Sequence, residues 1–191
     1  MKASRSSISS TAGGCAGIAA GETAPTLQKE GYEAMITVLR IDDRLIHAQV
    51  VIGWGRIIKP DRIVIADDHV SANAWEKSLY MNSVSPDIKV SILSLADTVD
   101  QVRGGVFDRE KVILLVRNPQ NVLTLIDLGF EVDEVNVGGL HYGEGKEKLL
   151  DHLYVSKEER SALRELVKRG VTLEARALPG HEPVILNSRV V

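Results

Sequence analysis

The reactive side chains concentrate in one run: Arg40, Ile41, Asp42, Asp43, Arg44, Leu45, Ile46, His47, Ala48 and Gln49. Two carboxylates, two guanidinium groups and an imidazole lie within it. A neutral imidazole, the form present above an ordinary histidine pKa of ~6.5, attacks phosphorus and holds the phosphoryl group as a reactive phosphoramidate. That bond is easily made and broken, which suits reversible transfer. If a helix opens at His47, its free N–H groups and positive dipole end favour a phosphate dianion. Arg44 then offers a fork for phosphoryl oxygens, while Asp42 or Asp43 orients that arginine or accepts an imidazole N–H. By charge pattern alone, the same residues also describe a solvated loop with an ordinary helix cap.

The elements that position this run follow from hydrophobic period. Apolar, β-rich runs predict strands over 36–41, 62–66, 88–93, 111–116, 132–137 and 171–175. Between them, helical spacing predicts helices over 47–57, 72–84 and 95–103, with Val50, Val51 and Trp54 on the core side of the first. The second is expected to turn Trp75, Leu79 and Met81 inward. Asn118 caps a further helix with Pro119 at its first position and Gly129 past its end. Ser156 and Glu159 form a capping box for a last helix reaching Arg169. Alternating strands and helices predict an α/β fold, an open and mainly parallel sheet of about six or seven strands flanked by helices, in a single domain. Right-handed crossovers gather the strands' carboxyl ends on one edge, where ligands bind. That edge collects 42–49, 67–71, 117–119 and 138–145.

Composition narrows the function. The chain has 191 residues and a formal net charge of −3, which argues against a nucleic-acid partner. No stretch approaches the ~20 apolar residues of a membrane span. The lone Cys15 excludes an internal disulfide and a cysteine metal cluster, and fits a reducing cytoplasm. Residues 1–34, rich in Ser, Ala, Gly and Thr, read as an extension outside the domain, disordered or upstream of a true start at Met35; the domain occupies 35–191. Gly143, Gly145 and Lys146 fail the phosphate-loop spacing, since Leu140 stands where the first glycine is required. No cofactor or metal is expected. Asp67, Asp68 and His69 read as a solvated loop, His152 and His181 as surface or satisfied core positions, and Asn136 and His141 as contacts to a phosphoryl group or a docking protein.

The run from Arg40 to Gln49 and Val50 resembles the signature of IIB subunits in the mannose/fructose/sorbose family of phosphoenolpyruvate-dependent sugar phosphotransferase systems. Trp54, the strand over 63–68, Asn118 with Pro119, and Val135, Asn136, Val137, Gly138 and Gly139 ahead of His141 agree with it, so the resemblance covers about 36–175. It implies that His47 is phosphorylated, on Nδ1, in a loop after the first strand; the charge pattern adds Arg44 and Asp42 as the expected rest of the catalytic set. It also implies a phosphorylated IIA protein as donor and a sugar bound by membrane IIC and IID subunits as acceptor, with the chain cytoplasmic and peripheral to that complex. A regulatory phosphoprotein that binds a signalling partner uses the same histidine and is the alternative. Ala48 departs from the family, which usually has Gly after the active histidine; the added methyl bears on backbone freedom and partner approach.

Overall fold

The computed structural model describes residues 36–190. The expected extension over 1–34 lies outside them. The chain forms β1 (Ile36–Asp42), a π-helical turn (Gln49–Trp54) running into α1 (Gly55–Ile58), β2 (Arg62–Ala66), α2 (Asp68–Ala72), α3 (Ala74–Met81) and β3 (Lys89–Leu93). It continues through α4 (Leu95–Arg103), β4 (Val112–Val116), α5 (Pro119–Asp127), β5 (Glu134–Gly139), β6 (Glu147–Leu150) and β7 (Leu153–Val155). It closes with α6 (Lys157–Lys168), β8 (Thr172–Ala175), β9 (Val184–Ile185) and α7 (Asn187–Val190).

Seven strands pair in the order β3-β2-β4-β1-β5-β8-β9, with β6 and β7 as a separate antiparallel pair. Every pairing in the large sheet is parallel except that of the short edge strand β9 with β8. The chain leaves β1, lays down β2 and β3 beyond it, and returns to place β4 between β2 and β1 before crossing to β5. The sheet's order of growth therefore reverses beside β1, the position where open α/β sheets take their ligands.

Strand alternation divides the core in two. Ile63, Ile65, Ile113 and Leu115 pack beneath Leu45, Ile46, Val50, Trp54 and Val70 on one face. Leu39, Ile41, Val64, Val112, Leu114, Val116, Val135 and Val137 pack on the other against Leu95, Val99, Val122, Leu125, Leu163 and Leu166. β4 is buried along its whole length, which is why it is apolar without alternation. The caps fall where the sequence places them. The Asn118 side chain accepts the Asn121 N–H at 2.9 Å, and Ser156 and Glu159 exchange bonds of 3.1 and 2.7 Å. Gly129 takes a φ of +91° at the end of α5, where a side chain would be strained.

Two expectations change. The helix expected over 72–84 is the shorter α3, preceded by α2 where a loop was expected, because Asn73 adopts extended backbone and its side chain accepts the N–H groups of Trp75 and Glu76. That cap resets the helical phase, and Trp75, Leu79 and Met81 point outward at 72%, 53% and 58% exposure. The pair β6-β7 and strand β9 were not expected, since runs of two to four residues carry no readable period.

Candidate active site

Asp42, fully buried, ends β1, and the chain must turn back over the sheet to form its helix. The turn closes with the Leu45 N–H donating to the Asp42 carbonyl at 3.0 Å. Leu45 is left-handed at φ +54°, a cost of roughly 1–2 kcal/mol for a residue with a side chain. Its complete burial contributes about 1.5–3 kcal/mol and offsets that cost. The reversal aims the Leu45 carbonyl at His47, whose Nδ1 lies 3.0 Å from that oxygen and 3.7 Å from Asp42 Oδ1. Nε2 lies 3.3 Å from Gln49 Oε1.

A neutral imidazole carries one N–H, and each of its nitrogens here faces an oxygen acceptor. In the tautomer with its proton on Nδ1, the ring donates to the Leu45 carbonyl. The Gln49 carbonyl oxygen stands ready to accept the proton on Nε2 once the ring leaves Leu45. The helix begins just after His47, whose carbonyl accepts the N–H groups of Val50 and Val51 at 3.0 Å each. It is wound as a π-turn over Gln49–Trp54, a form that sequence period does not reveal and that recurs at functional sites. Ala48 is exposed, with φ −53° and ψ −38°, so its methyl imposes no backbone strain.

Beneath the loop lies Arg40, also fully buried. It donates to Asp42 Oδ2 from Nη2 at 2.9 Å and from Nε at 3.3 Å. Its Nη1 donates to Asn136 Oδ1 at 2.5 Å and to the Arg176 carbonyl at 2.9 Å, and its guanidinium stacks over Trp54 at 5.2 Å. Burial pushes the Arg40 guanidinium below its ordinary pKa, and the Asp42 charge and hydrogen bond counter that push. Gly138 makes room for it, since a Cβ there would sit 2.0 Å from Arg40 Cζ. Asn136, expected as a surface contact, is instead a buried partner of Arg40, and it donates through Nδ2 to Glu174 Oε1 at 3.2 Å.

Asp43 turns the other way. Its N–H donates to the Gly139 carbonyl at 3.0 Å, and its carboxylate accepts the His141 backbone N–H at 2.7 Å and His141 Nδ1 at 2.5 Å. Neither carboxylate orients the Arg44 side chain. Arg44 is exposed at the rim, and only its backbone N–H reaches Asp42, at 3.3 Å. The loop expected to be solvated at Asp67, Asp68 and His69 is a set of struts. Asp67 is buried, caps α2 through the Val70 N–H at 2.9 Å and pairs with Arg117 Nε at 2.9 Å; Asp68 accepts the Leu95 N–H at 2.8 Å. Asp68 and His69 both remain exposed. Of the two readings for His152 and His181, the surface one holds, since both are exposed. Arg40 was read as part of the reactive run, but its buried role beneath the loop was not. Its signal was a charge between the buried apolar positions of a strand, two residues before an aspartate on the same face.

Among the described residues, no helix is long and apolar enough to cross a membrane and no group of acidic, histidine or cysteine side chains is placed to hold a metal. The sorbose-specific EIIB component of Klebsiella pneumoniae is 32% identical over 155 residues, covering 81% of this chain and 94% of that one. The fructose-specific EIIB component of Bacillus subtilis is 28% identical, covering 75% and 88%. The crystal structure of the IIBSor domain of the Klebsiella pneumoniae sorbose permease superposes with a TM-score of 0.75 at 32% identity, over 82% of this chain and 96% of that one. The family model for the PTS system sorbose subfamily IIB component matches residues 36–188, which span the whole sheet and the loop bearing His47, and the chain belongs to that family of sugar-phosphotransferase components.

Proposed function

We propose that this chain carries a phosphoryl group on His47, accepted from a phosphorylated IIA protein and passed to a sugar held by membrane IIC and IID subunits. The observation that carries the reading is the His47 ring, which has a separate acceptor for a proton on either nitrogen and stands at the carboxyl edge beside an exposed Arg44. For attack through Nδ1, that nitrogen gives its proton to solvent as the ring swings off the Leu45 carbonyl, and Nε2 takes up a proton from solvent and donates it to Gln49 Oε1. The Nδ1 lone pair forms the new N–P bond as the donor's N–P bond breaks, and that electron pair returns to the donor imidazole. In the second step a sugar hydroxyl oxygen attacks phosphorus, the electron pair returns to His47 and the hydroxyl proton leaves to solvent or a base of the membrane subunits. In-line transfer between two histidines requires alignment and charge stabilisation above all, and Arg44 at the rim supplies the charge. Asp42 steadies the resting ring. A relative supports the donor: the mannose-specific EIIAB component of Escherichia coli, by its name a joined IIA and IIB, is 32% identical over 142 residues. A cytoplasmic position beside the membrane complex follows from these partners.

The test is phosphate incorporation from phosphoenolpyruvate through the general phosphotransferase proteins and the cognate IIA. Wild type is expected to take an acid-labile label that His47→Ala loses. Undiminished labelling of His47→Ala overturns the assignment. Phosphorus NMR of the labelled protein assigns the nitrogen, and a signal from an Nε2 phosphoramidate overturns the ring swing.

A further inference from the structure

Arg44 stands directly after two aspartates, and an arginine so placed on a turn would ordinarily pair with one of them. It does not. Among the described residues its guanidinium forms no ion pair, because both neighbouring carboxylates are already taken. Asp42 gives Oδ2 to Arg40 at 2.9 Å in the interior, while its Oδ1 accepts the Arg44 backbone N–H and faces His47. Asp43 gives both oxygens to His141, one to the backbone N–H at 2.7 Å and one to Nδ1 at 2.5 Å. The Asp43 clamp is outside the core, with the His141 side chain 46% exposed and Asp43 26% exposed, so it is not needed to satisfy buried groups. It also bridges two loops, since the Asp43 N–H bonds to Gly139 at the end of β5.

We infer that His141 is a positioning residue that occupies the Asp43 carboxylate and so keeps the Arg44 guanidinium available to an anion at His47. Arg40 does the same for Asp42 from below. A carboxylate released from its clamp competes with phosphoryl oxygens for the same fork of N–H donors. The effect is electrostatic, so it is cured by removing the released charge, whereas a merely structural defect is not. The biological purpose rests on the carrier reading; the clamp's action on Arg44 does not.

The experiment compares the full chain with His141→Leu and with the double variant His141→Leu/Asp43→Asn. His141→Leu is expected to lower phosphoryl acceptance about 5-fold, the scale of a solvent-screened ion pair, and the added Asp43→Asn to return it to within about 2-fold of wild type. In parallel, inorganic phosphate is titrated while the Arg44 Nε–H resonance is followed by NMR. Phosphate affinity read there is expected to fall and recover in the same order. Wild-type behaviour of His141→Leu in both readouts, or failure of Asp43→Asn to restore either, overturns the inference. If wild type takes no label from a working relay, the carrier reading falls alone, and the phosphate titration still decides whether His141 frees Arg44.

Discussion

The two edges of the sheet are built from the same parts and end in opposite states. At the amino edge Arg62 stacks over Phe107 at 5.6 Å and forms a forked pair with Glu110 at 2.6 and 3.1 Å. At the carboxyl edge Arg40 stacks over Trp54 and pairs with Asp42. The amino-edge cluster is closed, because Lys89 takes Glu110 Oε1 at 2.7 Å and Ser91 takes the remaining arginine donor at 2.7 Å. The carboxyl-edge cluster is open. One oxygen of Asp42 is committed to the interior and the other faces a strained loop with a histidine on it. A site differs from a strut less in residue types than in whether the network leaves a group turned outward.

The largest break in that comparison is removal of each carboxylate. Asp42→Ala leaves the Arg40 charge buried without its counter-ion, and is expected to cost about 3–5 kcal/mol in urea denaturation. Glu110→Ala is expected to cost far less, since Arg62 and Lys89 regain water. Equal losses at the two edges would remove the distinction between open and closed clusters.

Leu45→Ala tests the loop itself. It keeps the left-handed backbone and deletes the buried anchor that offsets it, so a loss of about 2–4 kcal/mol is expected. Phosphoryl acceptance should fall with it, because the Leu45 carbonyl that meets His47 is carried by the same turn. A stable variant with full activity would mean that the turn is held by the Asp42 network alone.

The fold was legible because its signals are local and redundant. β4 is a five-residue apolar run buried on both faces, and Asn118 and Ser156 cap helices through their own side chains. The candidate site was legible as a stretch of residue types, and the chain order brought His47, Asp42 and Arg44 to one loop. Their pairings were not legible. Asp42 bonds to Arg40 two residues back, and Asp43 to His141 nearly a hundred residues away, because strand β5 lies beside β1. Non-local partners depend on strand order, which period cannot give. Asn73 failed for the opposite reason, a local cap one residue inside the start of the amphipathic stretch.

At the amino edge, pH sharpens the contrast. Hydrogen bonding from Arg62, opposed by burial and aided by Lys89, lowers the Glu110 carboxyl from an ordinary 4.5 to about 2. A folded pKa below the unfolded one means that the contribution is complete above about pH 4.5 and is lost as pH falls through about 2. Screening by solvent reduces it to about 1 kcal/mol. The stability difference between wild type and Glu110→Gln should therefore be constant from pH 7 to pH 5 and shrink toward pH 2. A difference that grows on acidification contradicts the closed-cluster reading.

The smallest effect is expected at Ala48, where the resemblance leads to an expectation of glycine. Its backbone is already α-helical and its side chain exposed, so glycine relieves nothing there. Ala48→Gly should instead lower stability by less than about 1 kcal/mol, the helix-propensity difference, diminished at a helix end. The two edges then make different demands on a donor protein. On the proposed carrier function, a partner that aligns phosphorus on His47 approaches a ring whose next residue exposes the Ala48 methyl. If the methyl is neutral, rates of transfer from a IIA protein are equal for the two residues. If it selects the donor, glycine accelerates transfer from non-cognate IIA proteins while the cognate rate holds. Measuring both rates against both donors separates a silent substitution from a specificity determinant, and slower cognate transfer in the glycine variant would show that the methyl itself makes a productive contact.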